Sequence, residues 1–371
     1  MRRRILSGRV SVRPWLVVLV VSLLYLGVVL ARNGGDPLAF AVIGRRYEAG
    51  EPAGSEGYDG QFAYFIALDP GGASERLDVP SYRYQRILYP LLARWLALGR
   101  PEILPWTLVS LNVVALVAGT ALMERLLLHY RVGRWYALIY GLHAGLLMAV
   151  RLDLNEPLSY GLVLAAIWAM EGKRPGWSAL LFALAALAKE TALVFAGAYV
   201  LYLLLTTGWR PALRFGLVAV GPYAGWQLSL WGWLGGPGVG SGGAMATSFE
   251  IIPFMGLWRI GAVSWAALLV YAAILGPLVV LPTVWALWRT GREIIQRHWH
   301  PVSLALFANA AVLLFLPHST WREFLAMLRL SGGLVAAVLL YAALRSDYRV
   351  LNYSFGWLAA LAFVFKEGPL V

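Results

Sequence analysis

The stretch WLVVLVVSLLYLGVVLA, residues 15–31, carries no charge and follows Arg2, Arg3, Arg4, Arg9 and Arg13. An apolar run of this length behind a basic cluster predicts a helix that crosses the bilayer with its N-terminus in the cytoplasm. It is longer than the about 7–15 apolar residues of a secretory signal core, so it is expected to stay as an anchor, although Val29-Leu30-Ala31 resembles a weak cleavage site.

Runs of the same character recur to the end of the chain, at 103–123, 135–150, 158–170, 179–188, 193–205, 215–234, 264–288, 302–316, 325–344 and 351–365. Together with the anchor they predict an all-α polytopic membrane protein with about eleven transmembrane helices, and one transmembrane domain over 1–371. The 158–170, 179–188 and 193–205 runs are short, and Lys189 and Glu190 divide what is otherwise one apolar stretch. Composition agrees: 60% of residues are hydrophobic and 13% charged, whereas a soluble domain carries roughly twice that charge. No cysteine is present, which excludes disulfides, thiolate metal sites and cysteine nucleophiles.

The net charge of +12 is a matter of orientation and does not point to nucleic acid. With the N-terminus inside, the basic blocks at 125–134, 173–174, 210–214, 289–297 and 345–349 all fall on cytoplasmic loops, as the positive-inside rule requires. The arginine-heavy usage fits a bacterial inner membrane.

The long segment 32–102 is then an extracytoplasmic loop, well beyond ordinary connection length. Tyr58-Asp59-Gly60-Gln61-Phe62-Ala63-Tyr64-Phe65-Ile66 has Phe62, Phe65 and Ile66 at helical spacing, and a second stripe is formed by Ile87, Leu91, Trp95 and Leu98, with Pro90 starting or kinking the helix. Both predict helices lying at the outer bilayer interface. Asp59, beside Gly60 at a helix start, is the leading catalytic candidate; as an alternative, Asp is a preferred N-cap. Tyr58, Gln61, Tyr64, Arg83 and Arg86 surround it in sequence, and carboxylate, aromatic and guanidinium groups together suit a sugar joined to a phosphate.

Further candidates stand on the other outer turns. Asp153 and Glu156 are placed across a cavity mouth from Asp59, or in a solvated turn. Lys189 and Glu190 form either a site wall or a self-neutralising hairpin tip. Arg322 and Arg329, seven residues apart, share a helix face and suit a leaving phosphate, or else snorkel to the interface. The Gly-rich 235–243 segment reads as a mobile outer loop, a candidate lid, before an amphipathic stretch at 251–260. No phosphate loop, nucleophile elbow or His-Glu-x-x-His motif occurs, and the five histidines are scattered.

Tyr58-Asp59-Gly60-Gln61-Phe62 with Ile66-Ala67-Leu68-Asp69-Pro70, then Tyr82-Arg83-Tyr84-Gln85-Arg86-Ile87-Leu88-Tyr89-Pro90, and Ala188-Lys189-Glu190-Thr191, resemble outer-loop segments of the GT-C superfamily, in particular a bacterial branch linked to cell-surface glycopolymer formation. In wording they are also similar to segments of eukaryotic GPI mannosyltransferases. The resemblance implies an inverting glycosyltransferase that moves a sugar from a polyprenyl-phosphate donor to a glycan or lipid-linked acceptor on the extracytoplasmic face, among membrane lipids. It also implies that Asp59 is the base and that Arg329, Arg322, Arg83 and Arg86 hold the departing phosphate. Some relatives use an Asp-x-Asp pair and a metal ion, but here Gln61 stands two residues after Asp59, which argues against a divalent cation. The competing expectations are a transporter, flippase or polymerase of lipid-linked glycans, and a non-catalytic envelope scaffold.

Overall fold

The structure is a computed structural model and describes residues 12–365. The basic residues Arg2, Arg3, Arg4 and Arg9 of the expected anchor lie outside the described residues. The chain is all-helical at 74% helix, with no strand among the described residues.

The anchor forms α1 (Pro14–Arg32), opened by Pro14 at a first-turn position where its missing N–H costs nothing. The long segment after it folds into α2 (Gly60–Leu68), α3 (Pro80–Tyr84) and α4 (Leu88–Leu96). There follow α5 (Leu104–His129), α6 (Ala137–Gly141), α7 (Ala144–Arg151), α8 (Glu156–Glu171), α9 (Pro175–Ala188), α10 (Ala192–Thr206) and α11 (Trp209–Leu234). The C-terminal half holds α12 (Met255–Val263), α13 (Trp265–Leu275), α14 (Leu281–Ile295), α15 (Pro301–Leu314), α16 (His318–Arg322), α17 (Phe324–Leu344) and α18 (Tyr348–Tyr353).

Among the described residues four helices are long and apolar enough to cross a membrane: Pro14–Arg32, Leu104–His129, Trp265–Ile295 and Phe324–Leu344. The expected spans within α8, α9, α10 and α15 are helices of 14–16 residues, which at about 1.5 Å per residue fall short of the roughly 30 Å hydrocarbon core. Two runs depart further from the single helices expected of them. The 135–150 run breaks between α6 and α7, where Leu142 and His143 leave helical geometry. The 351–365 run is a short α-helix followed by the tighter 3-10 helix Ser354–Phe363. Hydropathy reports only that such residues avoid water; it does not register a break in the backbone hydrogen bonding.

The 264–288 run extends to Ile295 by way of a π turn at Gly276–Val280. Pro277 lacks an N–H, and the widened turn leaves the Pro277 and Leu278 carbonyls to accept from Tyr353 Oη and, at 2.6 Å, Trp357 Nε1 of the C-terminal segment.

The stripe of α2 does not lie on a bilayer surface. Phe62, Phe65 and Ile66 are buried, and so are Gly60, Gln61, Ala63 and Ala67, so the helix is enclosed by protein. Apolar spacing is the same for a lipid-facing and a protein-facing stripe, and here the protein wins. The second stripe does face outward: Leu91 and Trp95 of α4 and Leu98 just beyond it are exposed, Ile87 is half-buried, and Tyr89 and Ala93 are buried. Pro90 lies in the first turn, where a proline is tolerated without a kink.

The core centres on α17, whose most apolar window is 89% buried. Gly145 lets α7 reach its backbone, since a Cβ there would lie 2.3 Å from the Leu328 carbonyl oxygen. That contact fixes the height of Arg329, the next residue.

Candidate functional site

Asp59 has helical backbone angles and its side chain makes no cap bond, so the capping alternative is not what the fold uses. Its position is set by Gly60, where a Cβ would lie 2.0 Å from the Leu152 carbonyl oxygen. Only glycine admits the turn between α7 and α8 this close to the start of α2. The Asp59 carboxylate turns outward to two arginines: Oδ1 is 2.9 Å from Arg83 Nη1, and Oδ2 is 3.3 Å from Arg329 Nη2.

Each arginine is aimed by a second carboxylate. Arg83 donates from Nε and Nη2 to Asp78 at 2.7 and 2.8 Å, and its guanidinium lies 4.1 Å over the Phe62 ring. Arg329 donates from Nε to Glu156 at 2.8 Å and from Nη1 to the Tyr58 hydroxyl at 2.9 Å. Tyr58 in turn donates to Glu323. Lys189 reaches Glu156 at 2.6 Å. Arg86 donates to both oxygens of Glu190, at 2.9 and 2.6 Å, and to the Tyr82 hydroxyl at 2.7 Å. Four cations (Arg83, Arg86, Lys189, Arg329) thus meet the carboxylates of Asp59, Asp78, Glu156 and Glu190, with Glu323 joined through Tyr58.

The charges shape one another. Burial disfavours the ionised form of Asp59, but the Arg83 and Arg329 guanidinium groups outweigh it and hold the carboxyl well below its usual range. Burial likewise opposes ionisation of Glu190, and Arg86 reverses the effect, leaving the carboxyl lowered. Burial lowers Lys189, with Glu156 only partly compensating. The Tyr58 hydroxyl is pushed up, first by burial and then, against the pull of Arg329, by Glu323.

A polar cavity of about 270 Å³ opens at Asp59, between Tyr58, Tyr82 and Arg83 on one side and Arg322, Glu323 and the 243–246 backbone on the other. Behind it a small space of about 20 Å³ touches Asp59, Arg83, Arg86, Glu156 and Arg329. Beside it lies an apolar cavity of about 640 Å³ walled by Ile260, Val263, Ala267, Tyr271, Phe324 and Leu325. The polar and apolar cavities share Tyr58, Arg322 and Glu323.

The fold brings together Tyr58, Asp59, Arg83, Arg86, Glu156, Lys189, Glu190 and Arg329, drawn from five separate stretches of sequence. It corrects other expectations. Gln61 lines the polar cavity, but its side chain is committed to the protein: it accepts from Gly44 N at 3.0 Å and donates to the Glu56 carbonyl at 2.7 Å, pinning the preceding loop. Tyr64 packs beside Phe65 and lines neither cavity. Asp153 is fully buried away from both cavities, where its carboxylate accepts from the Tyr89 hydroxyl at 3.5 Å. Glu156 is 1% exposed, so the solvated-turn alternative fails for it. Lys189 and Glu190 do not neutralise each other, because the break between α9 and α10 points them to different partners.

Arg322 and Arg329 form no ladder. The helix stops at Arg322 and restarts at Phe324, with Glu323 in extended geometry between them, so a spacing of seven no longer means a shared face. The Gly-rich loop is tied down: Gln227 Oε1 accepts from Gly238 N and Val239 N, Asp78 accepts from Ala244 N at 3.0 Å, and Thr247 and Ser319 bond reciprocally. The expected amphipathic stretch begins as a helix only at Met255, because Phe254 takes a left-handed turn. Sequence reasoning passed over Asp78 and Glu323. Asp78 is five residues before Arg83, a signal available only once Arg83 is known to be buried.

Among the described residues no group of three or more His, Asp and Glu is placed to hold a metal ion. The partners of Asp59 are guanidinium groups, a donor set that suits an anion and does not fit a divalent cation. No family model, curated protein or solved structure matches the chain. Fold and site together define a helical membrane protein that places an arginine-rich polar cavity directly against an apolar one.

Proposed function

We propose that this protein is an inverting membrane glycosyltransferase of the GT-C kind, transferring a sugar from a polyprenyl-phosphate donor to a glycan or lipid-linked acceptor. The observation that carries the reading is the shared wall of the two cavities. An amphiphile whose anionic group joins a sugar to an apolar chain needs a polar chamber with cations for the anion and an apolar groove that opens from it. The polar cavity holds Asp59 and Arg83, the exposed Arg322 stands at the junction, and Tyr271 and Phe324 line the groove.

In this reading the acceptor hydroxyl loses its proton to Asp59 as its oxygen attacks the anomeric carbon, and the phosphate leaves on the opposite side toward arginine. The topology is about eleven crossings with a cytoplasmic N-terminus, in a bacterial inner membrane. It is supported by the convergence of residues 58–59, 83–86, 156, 189–190 and 319–323, all on turns which that count assigns to the outer side. The break between α6 and α7 at the buried His143 favours a second reading, a flippase for lipid-linked glycans, since broken membrane helices serve transport.

The test is transfer of radiolabelled sugar from polyprenyl-phosphate donors in proteoliposomes, with native protein and Asp59→Asn at matched folded amounts. Transfer or slow donor hydrolysis by the native chain, lost in Asp59→Asn, is the expected result. Movement of the lipid across the bilayer without bond cleavage, equal in both proteins, would replace the enzyme by the flippase.

A further inference from the structure

The paired arginines raise a difficulty for Asp59 as a base, since one of its oxygens accepts from Arg329 and the other is ion-paired with Arg83. A carboxylate held in this way is a poor proton acceptor. Resting on the transferase reading, we propose that Asp59 and the substrate's phosphate compete for one seat between Arg83 and Arg329, and that arrival of the phosphate frees Asp59 to act.

The geometry supports an exchange of anions. Arg83 is anchored through Nε and Nη2 by Asp78, which leaves Nη1 for Asp59. Arg329 is anchored through Nε by Glu156 and through Nη1 by Tyr58, which leaves Nη2 for Asp59. Withdrawal of Asp59 therefore does not disorient either guanidinium; it leaves two cations, each held from behind, facing the place its carboxylate occupied. Asp59 is also the member able to move: its side chain is 34% exposed, against 8% or less for Arg83, Arg329, Asp78 and Glu156. No cap bond ties it to α2.

A phosphate can pair with the two guanidinium groups as the carboxylate does and carries at least as much charge. Once displaced, Asp59 swings to the acceptor side of the sugar, opposite the phosphate, and loses the cations that suppress its basicity. The acceptor O–H proton then passes to Asp59, the acceptor oxygen bonds to the anomeric carbon, and the carbon–phosphate oxygen bond breaks. Its electron pair leaves with the phosphate, whose added charge falls on Arg83 and Arg329. The empty site is thereby protected from activating water, since the base is available only when the donor is seated.

Competition has an unusual signature: removing the catalytic carboxylate should strengthen binding of the phosphate. We would titrate the purified full chain in detergent with farnesyl phosphate, and separately with inorganic phosphate, comparing native protein with Asp59→Asn and Asp59→Ala. Both variants are expected to bind farnesyl phosphate about tenfold tighter than native, a difference of about 1.4 kcal/mol, while transfer is lost. A matching gain for inorganic phosphate assigns the seat to any phosphate, and a gain for farnesyl phosphate alone assigns it to the lipid-linked group. Unchanged or weaker binding in both variants, in a native protein that binds and transfers, overturns the seat and leaves the transferase standing. Failure of the native protein to bind or use any polyprenyl phosphate removes both. Should the variants not fold, difference infrared spectra of the native protein on adding farnesyl phosphate take their place: a carboxylate stretch must shift as the ion pairs break, and its absence sinks the proposal.

Discussion

Arg329 and Asp59 stand 270 positions apart in the chain, and their side chains meet at 3.3 Å, Nη2 to Oδ2. The contact joins the start of α2 to the second turn of α17, and with Arg83 it keeps the Asp59 carboxyl below its usual range despite burial. A depressed folded value means that this ionisation stabilises the fold above the unfolded value of about 3.9, and that the contribution disappears only as pH falls through the lower folded value. Thermal melts of native protein and Asp59→Asn should therefore run parallel between about pH 5 and pH 8 and converge only below about pH 4. A gap that varies across the neutral range would show that the ion pairs do not persist in solution.

Glu156 is the inner partner of both Arg329 and Lys189, and all three are buried. Glu156→Gln leaves two buried cations short of a counter-charge, and breaking such pairs costs about 3–5 kcal/mol. Unfolding in detergent should register that loss, and adding Lys189→Met should recover part of it, because one unpaired cation is then removed. A single-variant loss below about 1 kcal/mol would place the pair among weak surface bridges instead.

Arg86 binds both oxygens of Glu190 and so pins the 84–88 turn to the break between α9 and α10. Arg86→Lys keeps the charge but cannot span two oxygens. It should cost about 1–3 kcal/mol, and Glu190→Gln should cost a similar amount with the double variant little worse than either, the mark of a coupled pair. Strict additivity in the double-mutant cycle would separate the two residues.

Asp153 gives the opposite pH behaviour. Burial pushes its carboxyl well above the ordinary range, against weaker pulls from Tyr89 and Arg151. A raised folded value means stability is fully present below the unfolded value of about 3.9 and declines as pH rises toward the folded one. Asp153→Asn removes that decline, so the variant should match native protein in acid and exceed it at about pH 8, with transfer retained. Lower stability at alkaline pH, or loss of transfer, would return Asp153 to the site.

Much of the site was legible because ionisable residues in an apolar chain are few and expensive. Asp59, Arg83, Glu156, Lys189 and Arg329 stood out against their surroundings, and the fold gathers all of them. Gln61, Tyr64 and Asp153 were selected on the same ground of local company. Their side chains turn instead to a loop backbone, to Phe65 and to Tyr89, because sequence neighbours on a helix point in different directions.

Composition and hydrophobic runs by themselves determined the helical class, the membrane solvent, the division at Lys189 and Glu190, and the polar residues worth attention, since each follows from local free energies of transfer. Only the tertiary structure decided that α2 is enclosed by protein, that the chain breaks at Leu142 and at Glu323, and that Asp59 faces Arg83 and Arg329 in place of capping its own helix. Pairings of that kind depend on which distant backbones approach closely, at Gly60 with Leu152 and at Gly145 with Leu328, and the spacing along a single segment does not contain that distance.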